Sequence, residues 1–170
     1  GVKKNSNDPK LRARIKWDNI AYAPGALLAV ARKNGKVLAR HQIETTGEAV
    51  ALKLVPDMET WHADGTDLMH VRIYAVDKKG KRVLNVKDAK AFDKLTFTVK
   101  GDANIVAVDN GNIASDELHI GKTQLEKSIQ RHLFQGSALV ILRAGDKPGK
   151  IELSVEGEKM KAKKLVLNTK

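Results

Sequence analysis

Residues 63–83 read "ADGTDLMHVRIYAVDKKGKRV", and they carry the clearest strand signal in the chain. Between Leu68 and Val76 apolar residues alternate with polar ones, which is the period of a β-strand buried on one side. The inward face comprises Met69, Val71, Ile73 and Ala75, and the outward face comprises His70, Arg72 and Tyr74. Turn signals stand on either side, at Asp64-Gly65 and at Asp77 to Gly80. The stretch predicts a half-buried strand between two turns.

Similar strand patterns lie on both sides of this stretch. They are "EAVALKLVPD" (48–57), "KLTFTVKG" (94–101), "ANIVAVDNG" (103–111), "SALVILRA" (137–144), "GKIELSVEG" (149–157) and "KAKKLVLNT" (161–169). The segment "ALLAVARKNGKVLARHQI" (26–43) predicts a hairpin, because Asn34-Gly35 readily adopts the positive φ angles of a type I′ turn. Many short strands joined by regular turns predict an all-β fold, a β-sandwich.

Two segments are less regular. In "TQLEKSIQRHLF" (123–134), Leu125, Ile129 and Leu133 recur every four residues, which leaves a short amphipathic helix and an irregular loop both open for residues 119–135. "KLRARIKW" (10–17) alternates apolar with basic residues and predicts a strand that has one basic face.

The net charge of +11 is concentrated near the amino terminus. Residues 1–43 contain ten Lys or Arg against two Asp, whereas residues 44–170 contain 21 against 18 acidic residues. Such a basic segment fits an anionic partner, a solvated face or an interdomain face. Aromatic residues make up only 4% of the chain, so the stacking platforms used for single-stranded nucleic acid are scarce. We therefore expect no nucleic-acid partner.

Cysteine is absent, which excludes disulfide bonds, thiolate metal sites and a cysteine nucleophile. No uninterrupted apolar run approaches the roughly 18 residues that would span a bilayer. We expect a soluble globular protein that has no membrane partner.

Two polar clusters raise the question of a metal site. The candidate donors in "WHADGTDLMH" (61–70) are His62, Asp64, Asp67 and His70. Their spacing matches no established ligand pattern such as His-Glu-x-x-His. In "VDNGNIASDE" (108–117), the oxygen donors from Asp109 to Asn112 do not follow the alternation of an EF-hand loop. We favour turns in which short acceptor side chains bind backbone N–H groups, and we expect no metal.

Four blocks of sequence follow one another in an order that is typical of one protein family. They are "KWDNIAYAPGALLAVARKNGKVLARHQIETTGEAVALKLVPD" (16–57), the opening stretch, "LTFTVKGDANIVAVDNGNIASDE" (95–117) and "FQGSALVILRA" (134–144). Their order resembles the carboxy-terminal region of glycoside hydrolase family 2 β-galactosidases. The matching elements are Trp17, Tyr22 with Pro24 and Gly25, Thr45 with Gly47, Ala63 to Leu68, Asp77 to Gly80, Asp109 to Gly111, and Phe134 with Gly136.

This resemblance implies an immunoglobulin-like β-sandwich at residues 45–170. Residues 1–44 would be the carboxy-terminal part of a preceding, incomplete immunoglobulin-like domain. Family enzymes use two glutamates on a (β/α)8 barrel of about 250 residues, which this chain is too short to contain. The Asn-Glu pair of the acid/base motif does not occur in it either. We therefore expect no catalytic residue and no cofactor.

The resemblance makes this chain a non-catalytic fragment of a β-galactosidase-like enzyme, with a scaffolding or interdomain role. The parent would hydrolyse terminal β-galactosides, and we expect it in the periplasm or outside the cell. Expected partners are its own catalytic barrel and neighbouring domains. Because exposed β edges pair readily with other strands, we also expect the amino-terminal hairpin to pack against the second domain or to self-associate.

Two other functions remain open from the sequence. Immunoglobulin-like modules of cell-surface adhesins share parts of the pattern, and a carbohydrate-binding module would use an exposed aromatic residue to contact sugar. The candidate for such a glycan contact is Trp61.

Overall fold

The computed structural model describes residues 4, 15–84, 94–121, 123, 125–157 and 160–170. It divides into two compact units, residues 1–45 and 46–170. Every regular element in the described part is a β-strand. The strands are β1 (Ala26–Lys33), β2 (Lys36–Glu44), β3 (Ala51–Pro56), β4 (Leu68–Val76), β5 (Leu95–Lys100), β6 (Ala103–Asp109), β7 (Ser128–Arg131), β8 (Ser137–Ala144), β9 (Gly149–Gly157) and β10 (Met160–Thr169). Among the described residues, no helix has the length and apolar character needed to cross a membrane.

The first unit contains the β1–β2 hairpin, whose strands pair antiparallel with a bulge after Ala31. At the turn, Asn34 and Gly35 have φ angles of 49° and 80°, the positive values that a type I′ turn requires. The predicted hairpin is confirmed, but every residue of both strands is exposed. The basic strand predicted at residues 10–17 falls largely outside the described residues.

Thr45 closes the open end of this hairpin. Its backbone N–H donates to the Gly25 carbonyl oxygen at 2.8 Å, and its hydroxyl oxygen accepts from the Gly25 N–H at 3.1 Å. The Tyr22 hydroxyl lies 3.4 Å from the same Oγ1. These contacts give a physical reason for Tyr22 and Gly25 in the Tyr-x-Pro-Gly element and for Thr45 in the Thr-x-Gly element.

Residues 46–170 form a β-sandwich of two antiparallel sheets. One sheet has the strand order β3-β4-β8-β6, and the other has the order β10-β9-β5-β7. The chain changes sheet between β4 and β5 and again at each of the next four connections, so each sheet is assembled from distant parts of the sequence. This arrangement confirms the predicted immunoglobulin-like sandwich.

The core lies between the two sheets. The inward face of β4 is buried as predicted, with Val71 and Ile73 at 0% exposure. Phe97 and Leu153 of the facing sheet are also 0% exposed. Full burial of one such side chain stabilises the folded state by about 1.5–3 kcal/mol. Other fully buried core residues are Leu95, Ile105, Val108, Val140, Leu142, Ile151 and Val155.

The described part of residues 119–135 contains a strand, so the helix interpretation is wrong. In β7, Ile129 is half-buried and Arg131 is buried, which is the period of a strand. Leu125 lies outside the strand and is 56% exposed. The fourfold spacing of Leu125, Ile129 and Leu133 therefore does not correspond to one helical face, because pairing with β5 fixes an extended backbone.

A two-residue turn before β8 explains the Phe-x-Gly element. Phe134 and Ser137 exchange two backbone hydrogen bonds of 3.0 Å across Gln135 and Gly136, whose φ angles are 47° and 65°. A Cβ atom on Gly136 would clash with the carbonyl oxygen of Val83. The sequence therefore needs glycine here for both its backbone conformation and its small size.

Candidate functional site

The outer side of the β3-β4-β8-β6 sheet combines apolar and guanidinium side chains. The cross-strand register places Val55, Arg72 and Leu139 side by side, and His70 beside Ile141. We call this surface the arginine face. Its members are Lys53, Val55, His70, Arg72, Tyr74, Ser137, Leu139, Ile141 and Arg143, with Asn104 and Asp109 at its β6 edge. The outward positions predicted for His70, Arg72 and Tyr74 are confirmed.

A cleft of about 330 Å³ opens at one end of the arginine face. The Arg82 guanidinium carbon lies 4.8 Å from the centroid of the Tyr74 ring, and its Nη2 donates to Ser137 Oγ at 3.2 Å. Arg72 lines the same cleft, and Asn110 lines it from the end of β6. A cation–π contact at an exposed site is worth about 0.5–1 kcal/mol. Tyr74 and Ser137 therefore orient Arg82, whereas Arg72 is exposed.

The outer side of the β10-β9-β5-β7 sheet is polar. We call it the threonine face, and its register places Thr98 between Ser128 and Ser154. Its members are Thr96, Thr98, Ser128, Gln130, Lys150, Glu152, Ser154, Lys164 and Val166. Val166 is an apolar exception at 47% exposure. This composition is usual for an antiparallel sheet that faces water.

Trp61 lies in the core. Its side chain is 1% exposed, and its indole N–H donates to the Asp67 carbonyl oxygen at 3.1 Å. Burial of a large aromatic ring stabilises the sandwich, and the hydrogen bond satisfies the one polar atom of that ring. An indole in this position offers no ring face to a sugar. The prediction of a glycan contact at Trp61 is therefore wrong.

The polar residues between His62 and Asp67 form a turn, as predicted. Asp64 Oδ1 accepts from the backbone N–H groups of Thr66 and Asp67, at 2.8 Å and 2.7 Å. Asp67 Oδ2 accepts from the His62 N–H at 2.9 Å and lies 3.1 Å from His62 Nδ1. The Thr66 N–H lowers the pKa of Asp64, and the His62 N–H lowers the pKa of Asp67. Both carboxylates act as turn acceptors.

His70, the last of the four candidate donors, has a different partner. Its Nδ1 lies 3.1 Å from a carboxylate oxygen of Asp57 on the arginine-face side of β4. Across the described ranges, no group of three or more His, Asp or Glu side chains is placed to hold a metal ion.

The second polar cluster is also a turn. Asp109 Oδ1 accepts from the N–H groups of Asn110 and Gly111 at 2.6 Å and 3.1 Å, and Gly111 has a φ of 77°. The Gly111 N–H holds the pKa of Asp109 below its usual range, and the charges of His119 and Arg131 act in the same direction. The predicted turn is confirmed.

A buried arginine beside this turn was missed by sequence analysis. Arg131 is 0% exposed, and its guanidinium lies 3.5 Å from carboxylate oxygens of both Asp109 and Glu117. Glu117 Oε1 also lies 2.7 Å from His132 Nδ1. Burial raises the pKa of Glu117. The hydrogen bonds from His132 and the charge of Arg131 lower it by more than burial raises it, so the net shift is downward. The strand that carries Arg131 has only four residues, which is too few for a sequence pattern to single it out.

Comparison with known proteins places this sandwich in a family. The sequence profile of the glycoside hydrolase family 2 C-terminal domain 5 matches residues 52–166. The chain belongs to this family. Residues 1–39 match a second profile, described as a domain of unknown function (DUF4982). The predicted resemblance to the carboxy-terminal region of family 2 enzymes is confirmed.

Relatives of this family 2 domain are much longer proteins. A β-galactosidase of Bacteroides ovatus is 34% identical over 158 residues, which cover 93% of this chain and 17% of that protein. A β-glucuronidase of Formosa agariphila is 34% identical over 101 residues, 58% of this chain and 10% of that protein. A solved glycosyl hydrolase family 2 member from Bacteroides cellulosilyticus has a TM-score of 0.78 at 26% identity, covering 95% of this chain and 20% of that one. This chain thus spans a fifth or less of each.

Proposed function

We propose that this chain is the non-catalytic C-terminal part of a β-galactosidase-type glycoside hydrolase. Its role would be to support the catalytic barrel and neighbouring domains of the full-length enzyme. The observation that carries the proposal is the match of residues 52–166 to the family 2 C-terminal domain. The support for terminal β-galactosides as the substrate class of the parent is the β-galactosidase relative, which is 34% identical over 93% of the chain.

The surroundings of the acidic side chains support a non-catalytic role. A retaining glycosidase needs two carboxyl groups about 5–5.5 Å apart on either side of the scissile bond. Glu117 is instead held by His132 and Arg131, and Glu152 pairs with Lys164 at 3.0 Å. The carboxylate among the residues that line the cleft is Asp109, which accepts hydrogen bonds from its own turn.

We also propose that residues 1–44 end an incomplete immunoglobulin-like domain and that residues 45–170 form a complete one. The apolar side chains of the hairpin support this division, since Leu27, Leu38 and Ile43 are 63%, 66% and 57% exposed. An isolated two-stranded sheet is at best marginally stable in water, so these side chains need a covering layer. That layer would be further strands of the full-length protein, and the alternative is a second copy of the hairpin.

Assays with a chromogenic β-galactoside test the proposal, performed on this chain and on the full-length protein that contains it. We expect turnover by the full-length protein and none by this chain. A chromogenic β-glucuronide assayed in parallel distinguishes the activities named for the two relatives. Turnover by this chain alone that one Glu→Gln substitution abolishes would contradict the non-catalytic role.

A further inference from the structure

The arginine face has the composition of a protein interface. Leu139 and Ile141 are half-buried at its centre, on the side of β8 that faces away from the core. Protein interfaces are enriched in Tyr and Arg and depleted in Lys, Glu and Ser relative to the rest of the surface. The arginine face also includes Lys53 and Ser137. On the threonine face, however, Val166 is the apolar member among hydroxyl, amide and charged side chains, and that face carries no arginine among the members named above. The contrast therefore does not arise from the fold itself.

The charge of the arginine face indicates what would bind there. Within the described residues, the side chains of Arg72 and Arg143 make neither an ion pair nor a hydrogen bond. Asp109, at the end of β6, is already paired with His119 and Arg131. The guanidinium groups of Arg72 and Arg143 therefore present positive charge without an ion-pair partner beside an apolar centre. Complementarity calls for a surface that carries carboxylates around apolar side chains.

The extent of this surface favours a protein over a small anion. The cleft between Arg72 and Arg82 could receive one carboxylate. However, the apolar residues continue along the face to Ile141 and Val55, where a small acidic sugar in the cleft would not cover them. A protein surface satisfies both features at once, because it can place an acidic side chain in the cleft and apolar side chains beside it.

We propose that the arginine face docks onto a neighbouring domain of the same glycosidase, whose surface presents carboxylates to Arg72, Arg82 and Arg143 around an apolar centre. This inference rests on the proposed function, since it takes the partner from the full-length enzyme. It assigns the scaffolding role to one side of the sandwich and leaves the threonine face in water.

Hydroxyl-radical footprinting of this chain and of the full-length glycosidase tests the docking. Labelling of Tyr74 and Leu139 should fall several-fold in the full-length protein, while labelling of Val166 on the threonine face should stay the same. Equal labelling of Tyr74 and Leu139 in both proteins would overturn the proposal. It would also be overturned if glucuronate or galacturonate, added to this chain, protected Tyr74 while the full-length protein did not.

A charge reversal on the arginine face adds a measurement of stability. Arg72→Glu should lower the thermal unfolding midpoint of the full-length protein and leave that of this chain unchanged, whereas Lys150→Glu on the threonine face should change neither. An equal drop in both proteins would show a local effect and contradict docking. Glycosidase activity is measured on the same full-length sample. Its absence would refute the proposed function, while the footprint would still report whether the face is covered.

Discussion

The β1–β2 hairpin and the β3–β10 sandwich follow the same rules of strand pairing, yet only the sandwich buries what it pairs. In the hairpin, Leu27 pairs with Ile43, and the two side chains are 63% and 57% exposed. In the sandwich, Phe97 pairs with Val155, and both are 0% exposed. Pairing and turn chemistry thus define the shape of a hairpin, whereas burial between two layers supplies most of the stability.

The largest expected effect comes from a Leu→Ala substitution made once in each region. Leu153→Ala should destabilise the sandwich by about 2–5 kcal/mol, because it removes a fully buried side chain and leaves a cavity. Leu28→Ala, at a site that is 52% exposed, should change the free energy of unfolding by less than about 0.5 kcal/mol. Urea unfolding followed by Trp61 fluorescence in a Trp17→Phe background measures the cost of Leu153→Ala, and the hairpin population reported by NMR of the β1 and β2 amides measures that of Leu28→Ala. Equal costs at the two sites would contradict the comparison.

Glycine substitutions in two equivalent turns, at Gly35 and Gly136, test the same comparison of hairpin and sandwich. Gly136→Ala should cost the sandwich roughly 3 kcal/mol, since the added Cβ meets the Val83 carbonyl and the φ of 65° is unfavourable for alanine. Gly35→Ala has open space around it and a φ of 80°, so the cost is about 1 kcal/mol and falls on the hairpin.

The urea midpoint reported by Trp61 should therefore shift for Gly136→Ala and stay constant for Gly35→Ala. NMR of the β1 and β2 amides is the matching readout, and it should show loss of hairpin population in Gly35→Ala alone. A shift of the Trp61 midpoint in Gly35→Ala would show that the hairpin contributes to sandwich stability.

The smallest expected effect is a loss of sandwich stability at acidic pH. The Gly47 N–H, followed by that of Lys81, lowers the pKa of Asp77, which is buried in the turn after β4. A carboxyl group whose folded pKa is depressed adds stability above its unfolded pKa of about 3.9, and that stability is lost as pH falls through the folded pKa. The urea midpoint should therefore fall between about pH 5 and about pH 3. Asp77→Asn should weaken this fall, and a wild-type midpoint that rises in acid would refute the account.

The strands of this fold could be predicted because their signals are local. Alternation in residues 68–76 and the Asn34-Gly35 turn depend only on neighbours in sequence, and both predictions are confirmed. Strand β7 was not predicted, since four residues are too few to show a period, and its pairing with β5 is a long-range contact. The arginine face was visible on β4 alone. Its apolar members on β8 joined it only when the sheet order was known, because no sequence pattern specifies which strands are neighbours.

Hydrogen exchange of backbone amides tests most directly the claim that this chain holds one complete sandwich and one hairpin without a core. In this chain, amides of β4, β8 and β9 should exchange at least roughly a hundredfold more slowly, relative to unstructured peptide, than those of β1 and β2. In the full-length protein, the β1 and β2 amides should gain protection. Protection of the hairpin equal to that of β8 in this chain alone would contradict the claim.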